Sequence, residues 1–139
     1  MKTAFVDTNI LVYAAGGAEV DARKKQIARE ITLLSHLRIS VQVLNEFIAV
    51  ARNPKKLNLS RKEESHWLSE WYEFKISPLS FDTFHRALEL HLRYEFSHWD
   101  SLIVASALES KSEILFSEDL QHGQMIESLA IINPFHKEE

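Results

Sequence analysis

The stretch Thr3-Ala4-Phe5-Val6-Asp7-Thr8-Asn9-Ile10-Leu11 decides how the chain folds. Thr3 to Val6 reads as a short buried strand, and a carboxylate follows directly at its carboxyl end. Ile10 to Ala14 reads as a helical turn that Gly16-Gly17 ends. A second apolar strand, Ile114 to Phe116, runs into Ser117-Glu118-Asp119, which again sets an acid just past a strand. If the two strands are neighbours in one sheet, the two carboxylates converge.

Between them the pattern alternates. Asp21 to His36 reads as a helix, with Ile27, Ile31 and Leu34 at helical spacing and Arg23, Lys24, Lys25 and Arg29 on the other face. Arg38 to Ser40 is a second strand, and Val41 to Arg52 a helix that Asn53-Pro54 stops. Ser60 with Glu63 fits a capping box, which predicts a helix to about Phe74. Lys75 to Leu79 fits either strand or loop. Ser80 can cap a helix over Phe81 to Tyr94, and Ser97 one over His98 to Lys111. Leu129 to Ile132 reads as the last strand. Residues 134–139 read as a polar tail that frays, leaving one domain over residues 1–133. Strands alternating with helices predict an α/β domain around a mostly parallel sheet, in which sites form at the carboxyl ends of the strands.

Of the 139 residues, 45% are hydrophobic and 26% charged, which permits a buried core and excludes wholesale disorder. The net charge is −4. That counts against tight, purely electrostatic nucleic-acid binding, which needs Lys and Arg to displace counterions. It counts less against a nuclease, whose acidic site is offset by bound cations. With no cysteine, disulfides, thiolate metal sites and a cysteine nucleophile are excluded. The N-terminus shows no long apolar stretch, and Ile10 to Ala15 is too short to span a bilayer, so the expected location is the cytoplasm.

Two further acids lie on helices. Glu46 sits beside the apolar stripe of its helix. Asp100 lies in the first turn of a helix that is apolar nearly all round and therefore buried. Each acid has a purely structural alternative. Asp7 suits an N-cap, Asp119 a cap or turn, and Asp100 the positive end of a helix dipole. Gathered together, they would repel until a proton or a cation relieved them. Their hard oxygens favour Mg²⁺ or Mn²⁺, which can activate water for displacement at phosphorus. Composition and spacing reach a possible acidic metal site and do not choose the reaction.

Four segments together resemble the PIN-domain ribonucleases, especially the VapC-type toxins of toxin–antitoxin pairs. They are Phe5 to Leu11, Val41 to Phe47, Trp99 to Ala107, and Leu115 to Gly123, and they span nearly the whole chain. The resemblance implies a three-layer α/β/α fold around a parallel sheet. It implies Mg²⁺- or Mn²⁺-dependent cleavage of RNA, with Asp7, Glu46, Asp100 and Asp119 as the catalytic and metal-site acids. Asn9 and Ser117 match polar positions that support the site. It also implies a homodimer and a cognate antitoxin.

Other chemistries fit less well. Haloacid-dehalogenase-like phosphatases need a second Asp two residues after the first, and Asn9 stands there. His98 and His122 lie near Asp100 and Asp119, but no H-E-x-x-H spacing is present, and the seven histidines read as surface or supporting groups. Trp67, Trp71 and Phe74 form a stripe that reads as core packing, with an antitoxin groove as its functional alternative. Lys55, Lys56, Arg61 and Lys62 read as a solvated loop within reach of RNA phosphates. A binding module without catalysis, its acids serving as caps, is the remaining alternative. Such a module would show no Mn²⁺-dependent stabilisation.

Overall fold

The computed structural model describes residues 2–137. Strand β1 (Ala4–Val6) is buried along its whole length and lies near the middle of a six-stranded sheet. The other strands are β2 (Leu37–Ser40), β3 (Lys75–Ser77), β4 (Ile114–Phe116), β5 (Met125–Ile126) and β6 (Leu129–Ile132). Their spatial order is β3-β2-β1-β4-β6-β5, and every pair is parallel except β5 with β6. Strand β1 therefore has β2 on one side and β4 on the other. The register pairs Phe5 with Arg38 and with Leu115.

Among the described residues, six helices flank the sheet: α1 (Thr8–Ala15), α2 (Ala22–Thr32), α3 (Val41–Arg52), α4 (Arg61–Trp71), α5 (Phe81–Tyr94) and α6 (His98–Glu109). The mixed α/β architecture around a mostly parallel sheet is the fold class the sequence predicts. Among the described residues, no helix is long and apolar enough to cross a membrane. Three helices start at the caps expected from the sequence, Ser60, Ser80 and Ser97, and Ser40 caps α3 in the same way. Ser40, Ser60, Ser80 and Ser97 each accept a hydrogen bond from a backbone N–H of the first turn, and Ser60 with Glu63 closes the capping box.

Helix α6 is buried from Ser101 to Ala107, as an apolar helix held inside the molecule must be, and its residues belong to the core with Phe5, Leu115 and Ile131. Trp71 of the aromatic stripe also lies in the core, meeting Phe47 edge-on at 5.8 Å. Trp67 and Phe74 both stack on it and remain half-buried.

Several boundaries depart from the sequence reading: α1 starts at Thr8 rather than Ile10, α6 ends at Glu109 rather than Lys111, and β5 lies where no strand is expected. Helix α2 ends at Thr32 rather than His36. Leu33 and Leu34 are exposed, and His36 takes a left-handed backbone (φ 63°) as the chain turns into β2. Helix α4 ends at Trp71 rather than near Phe74, and a turn over residues 72–74 leads into β3. The tail expected to fray is tied down at Phe135. Its side chain is buried, its ring meets Tyr13 edge-on at 5.1 Å, and its carbonyl accepts from Arg23. Glu138 and Glu139 of that tail lie outside the described residues.

Truncating the Phe135 ring should therefore open a cavity against Tyr13. Phe135→Ala is expected to lower unfolding free energy by about 3 kcal/mol, the range of buried aromatic truncations. Urea denaturation measures it, and a loss within error of zero would show that the segment does not dock.

Candidate active site

Because β1 and β4 are parallel neighbours, their carboxyl ends lie side by side, and the residues that follow them meet. The backbone N–H of Asp7 donates to Phe116 O at 3.0 Å, extending the pairing one step past the strands. Ser117, fully buried, donates its hydroxyl to Asp7 Oδ2 at 2.8 Å. Asp7 Oδ1 accepts from the Thr8 backbone N–H at 2.7 Å, which makes Asp7 the N-cap of α1. Capping and a place in the cleft are thus not alternatives. Asp7 does both, and is only 6% exposed.

The other acids arrive on separate elements. Glu46 rides on α3, where Thr8 Oγ1 donates to it at 2.6 Å and Gln42 Nε2 at 3.3 Å. Gln42 Nε2 also reaches the Trp99 carbonyl at 3.2 Å, which ties α3 to the start of α6. Asp100 sits in the first turn of α6, whose N-cap is Ser97. Asp119 follows β4 in a loop, and Asn9 Nδ2 donates to it at 3.2 Å. Asp7, Asn9, Glu46, Asp100 and Asp119 all line one cleft of about 520 Å³, together with Thr8, Tyr13 and Lys56.

The electrostatics follow from this gathering. Burial pushes the Asp7 carboxyl up from its ordinary 3.8 to about 7. The charges of Glu46 and Asp100 push the same way, and the hydrogen bonds from Ser117 and Thr8 only partly offset them. Partial desolvation, then the charges of Asp100 and Glu118, raise Asp119, against a lowering hydrogen bond from Asn9. Lys56 is the one Lys or Arg among the residues lining the cleft.

Whether these residues suit a divalent cation can be judged from their donors. All four acids offer hard oxygens, and a buried carboxyl raised by desolvation and like charge is what a cation would return to its ionised form. Asn9 Oδ1 is buried and, among the described residues, has no hydrogen-bond donor, so a further oxygen is free at the cleft. Among the described residues, however, no three acidic or imidazole side chains stand within ligating distance of one point. The reason is local. Glu46 is turned onto Thr8, Asp7 onto Ser117, and Asp119 onto Asn9. The donor set fits in chemistry, while the side chains as placed are held by hydrogen bonds to Thr8, Ser117 and Asn9.

Sequence reasoning had not singled out Thr8, Gln42 or Tyr13. Gln42 could have been found, since it lies four residues before Glu46 on the same helix face. Tyr13 could not. Its hydroxyl donates to Glu118 at 2.7 Å, and Glu118 pairs with Lys24 at 2.5 Å, a cluster assembled from three distant segments. The histidines stay outside the cleft. His122 Nδ1 accepts from the Asn133 backbone N–H, and its ring stacks on His136.

The raised Asp7 carboxyl has a consequence for stability. The folded chain keeps the proton up to about pH 7, whereas the unfolded chain releases it near 3.8. Between those values the folded state binds more protons, so stability falls as pH rises through that window, by on the order of 4 kcal/mol in total. Asp7→Asn removes this dependence and keeps an acceptor for the Thr8 N–H. In EDTA, its melting temperature is expected to match wild type at pH 4 and exceed it at pH 8. A variant less stable than wild type at pH 8 would mean that the ionised carboxylate is the favoured form.

Comparison with known proteins agrees with this geometry. The family model described as PIN domain matches residues 4–125. No curated protein is similar enough to match. Among solved structures, a toxin–antitoxin complex from Klebsiella pneumoniae is similar with a TM-score of 0.73 at 21% identity, covering 97% of this chain and 100% of that one. VapC20 of Mycobacterium tuberculosis, described as a sarcin–ricin-loop-cleaving toxin, gives 0.66 at 17% identity over 84% and 92% of the two chains. VapBC2 of Rickettsia felis, bound to a DNA fragment from its promoter, gives 0.63 at 20% identity over 93% and 96%. At these identities the likeness is one of fold. With four acids at one strand-end cleft and a family match over most of its length, the chain belongs to the PIN-domain family.

Proposed function

We propose that the chain is a Mg²⁺- or Mn²⁺-dependent endoribonuclease, acting in the cytoplasm as the toxin of a toxin–antitoxin pair. The observation that carries this reading is the convergence of Asp7, Glu46, Asp100 and Asp119, from four separate elements, on one cleft. Family membership supports it, as do two of the similar structures, described as a toxin–antitoxin complex and as a toxin.

In this reading Asp7 and Asp100 are direct ligands, with Glu46 and Asp119 completing the site directly or through water. Ser117 and Asn9 hold ligands in place: Ser117 orients Asp7, and Asn9 orients Asp119. Thr8 does the same for Glu46. A bound divalent ion supplies a water of lowered pKa and offsets charge that builds on the phosphate oxygens. Lys56, at the cleft, offers the substrate backbone a cation that the net acidic chain otherwise lacks there. Attack by water leaves the ribose 2′-hydroxyl unused, so products carry a 5′-phosphate and a 3′-hydroxyl. The antitoxin partner would be a basic, partly disordered segment that orders on binding.

The test incubates labelled RNA with the chain in Mn²⁺ or in EDTA. Cleavage is expected only with Mn²⁺, and Asp7→Asn should lower the rate at least about 100-fold, more than the loss of a supporting contact does. Ser117→Ala should cost about 10- to 100-fold. Cleavage that persists in EDTA with Asp7→Asn, or ends that carry a 2′,3′-cyclic phosphate, would exclude this mechanism.

A further inference from the structure

Gln42 is buried (4% exposed) in the first turn of α3, yet it is neither apolar nor one of the acids. Its amide nitrogen carries two hydrogens, and each finds an acceptor on a different element. One is Glu46 Oε2 at 3.3 Å, a turn further along α3. The other is the Trp99 carbonyl at 3.2 Å, in the first turn of α6. Asp100 is the residue after Trp99. A single amide thus touches one cleft acid and the backbone that carries another. The two acceptors fix its orientation, because turning it over would set Oε1 against two oxygens.

That orientation works against stability. Gln42 Oε1 is buried and, among the described residues, has no donor. An unpaired buried acceptor destabilises a fold, and a methionine of similar length would fill the space without one. A polar group kept at the expense of stability points to contacts that matter for function. The neighbouring contacts indicate which function. The Thr8 hydroxyl holds Glu46, the Ser117 hydroxyl holds Asp7, and the Asn9 amide holds Asp119. All are neutral donors. Among the described residues, no Lys or Arg forms an ion pair with any of the four acids. A neutral donor aims a carboxylate and leaves its charge for a cation, whereas a Lys or Arg would already neutralise it. Gln42 differs from the other three in joining two helices. We propose that Gln42 is a positioning residue: by tying the Glu46 carboxylate to the first turn of α6, it fixes the separation of Glu46 and Asp100 on which the cleft's affinity for a divalent cation depends.

This rests on the metal-dependent reading above, and the experiment separates the two. Electron paramagnetic resonance counts free Mn²⁺ in titrations of wild type, Gln42→Met and Gln42→Asn. The asparagine keeps the amide but is one methylene too short to reach both acceptors. Far-UV circular dichroism checks that each variant folds, and if one does not, the other carries the test. Both variants should bind Mn²⁺ about 10- to 100-fold more weakly, the loss expected when a group that holds a metal ligand is removed. The Mn²⁺ concentration for half-maximal RNA cleavage should rise by the same factor, whatever the melting temperature in EDTA does. Ser110→Ala, which removes buried hydrogen bonds at the other end of α6, should leave the Mn²⁺ affinity unchanged. A folded Gln42 variant with wild-type Mn²⁺ affinity would overturn the positioning role and leave the nuclease reading standing. A wild type that binds no Mn²⁺ would overturn the reading, and this inference with it.

Discussion

One buried carboxylate sets the terms for the rest. Asp7 leaves the end of β1 with almost no contact with water and is held by two donors, the Thr8 N–H that begins α1 and the Ser117 hydroxyl that ends β4. Burying an acid is costly unless its lone pairs are satisfied or its charge is neutralised. The Thr8 donor is local, but Ser117 reaches the carboxylate only because β1 and β4 are parallel neighbours in register, with Val6 beside Phe116. The sheet order and the state of this one side chain are therefore the same fact seen at two scales.

Around Asp7 the chain accepts further strain of the same kind. Glu46, Asp100 and Asp119 are brought to one cleft although the first two raise the Asp7 carboxyl and Asp100 also raises Asp119. A chain selected for stability alone would separate these groups, and clustered like charge of this kind marks a candidate functional site. The polar side chains Thr8, Asn9, Gln42 and Ser117 each hold an acid or the backbone beside one, which keeps the cleft open and polar.

The layers explain why α5 differs from the other helices. Helix α6 is buried through seven consecutive residues, Ser101 to Ala107, and α5 packs against it from outside. A helix in that outer position needs one apolar face, and α5 has two: Ala87 and Leu90 are buried, while Phe81, Phe84, Leu88 and Leu92 are exposed. Trp99, joined to that exposed face through Phe84 and His98, immediately precedes Asp100, so the face and the acidic cleft share the first turn of one helix.

By itself the sequence determined what local interactions control. The caps at Ser40, Ser60, Ser80 and Ser97 involve partners three residues away, and the helices start where these serines stand. The apolar runs at Ala4–Val6 and Ile114–Phe116 declared buried strands, and the acids after them were legible as candidates by position and by family resemblance. The tertiary structure alone decided what depends on distant partners. No local pattern says that β4 lies beside β1, that Ser117 reaches an acid 110 residues away, or that Tyr13 joins Glu118 and Lys24. Nor could the tail show that Phe135 docks on Tyr13 while its polar neighbours remain outside, because a side chain's burial is set by the surface that meets it. Periodicity extends a helix as long as the apolar spacing lasts. Helix α2 nonetheless ends at Thr32, and the chain turns through a left-handed His36 into β2, which pairs with β1.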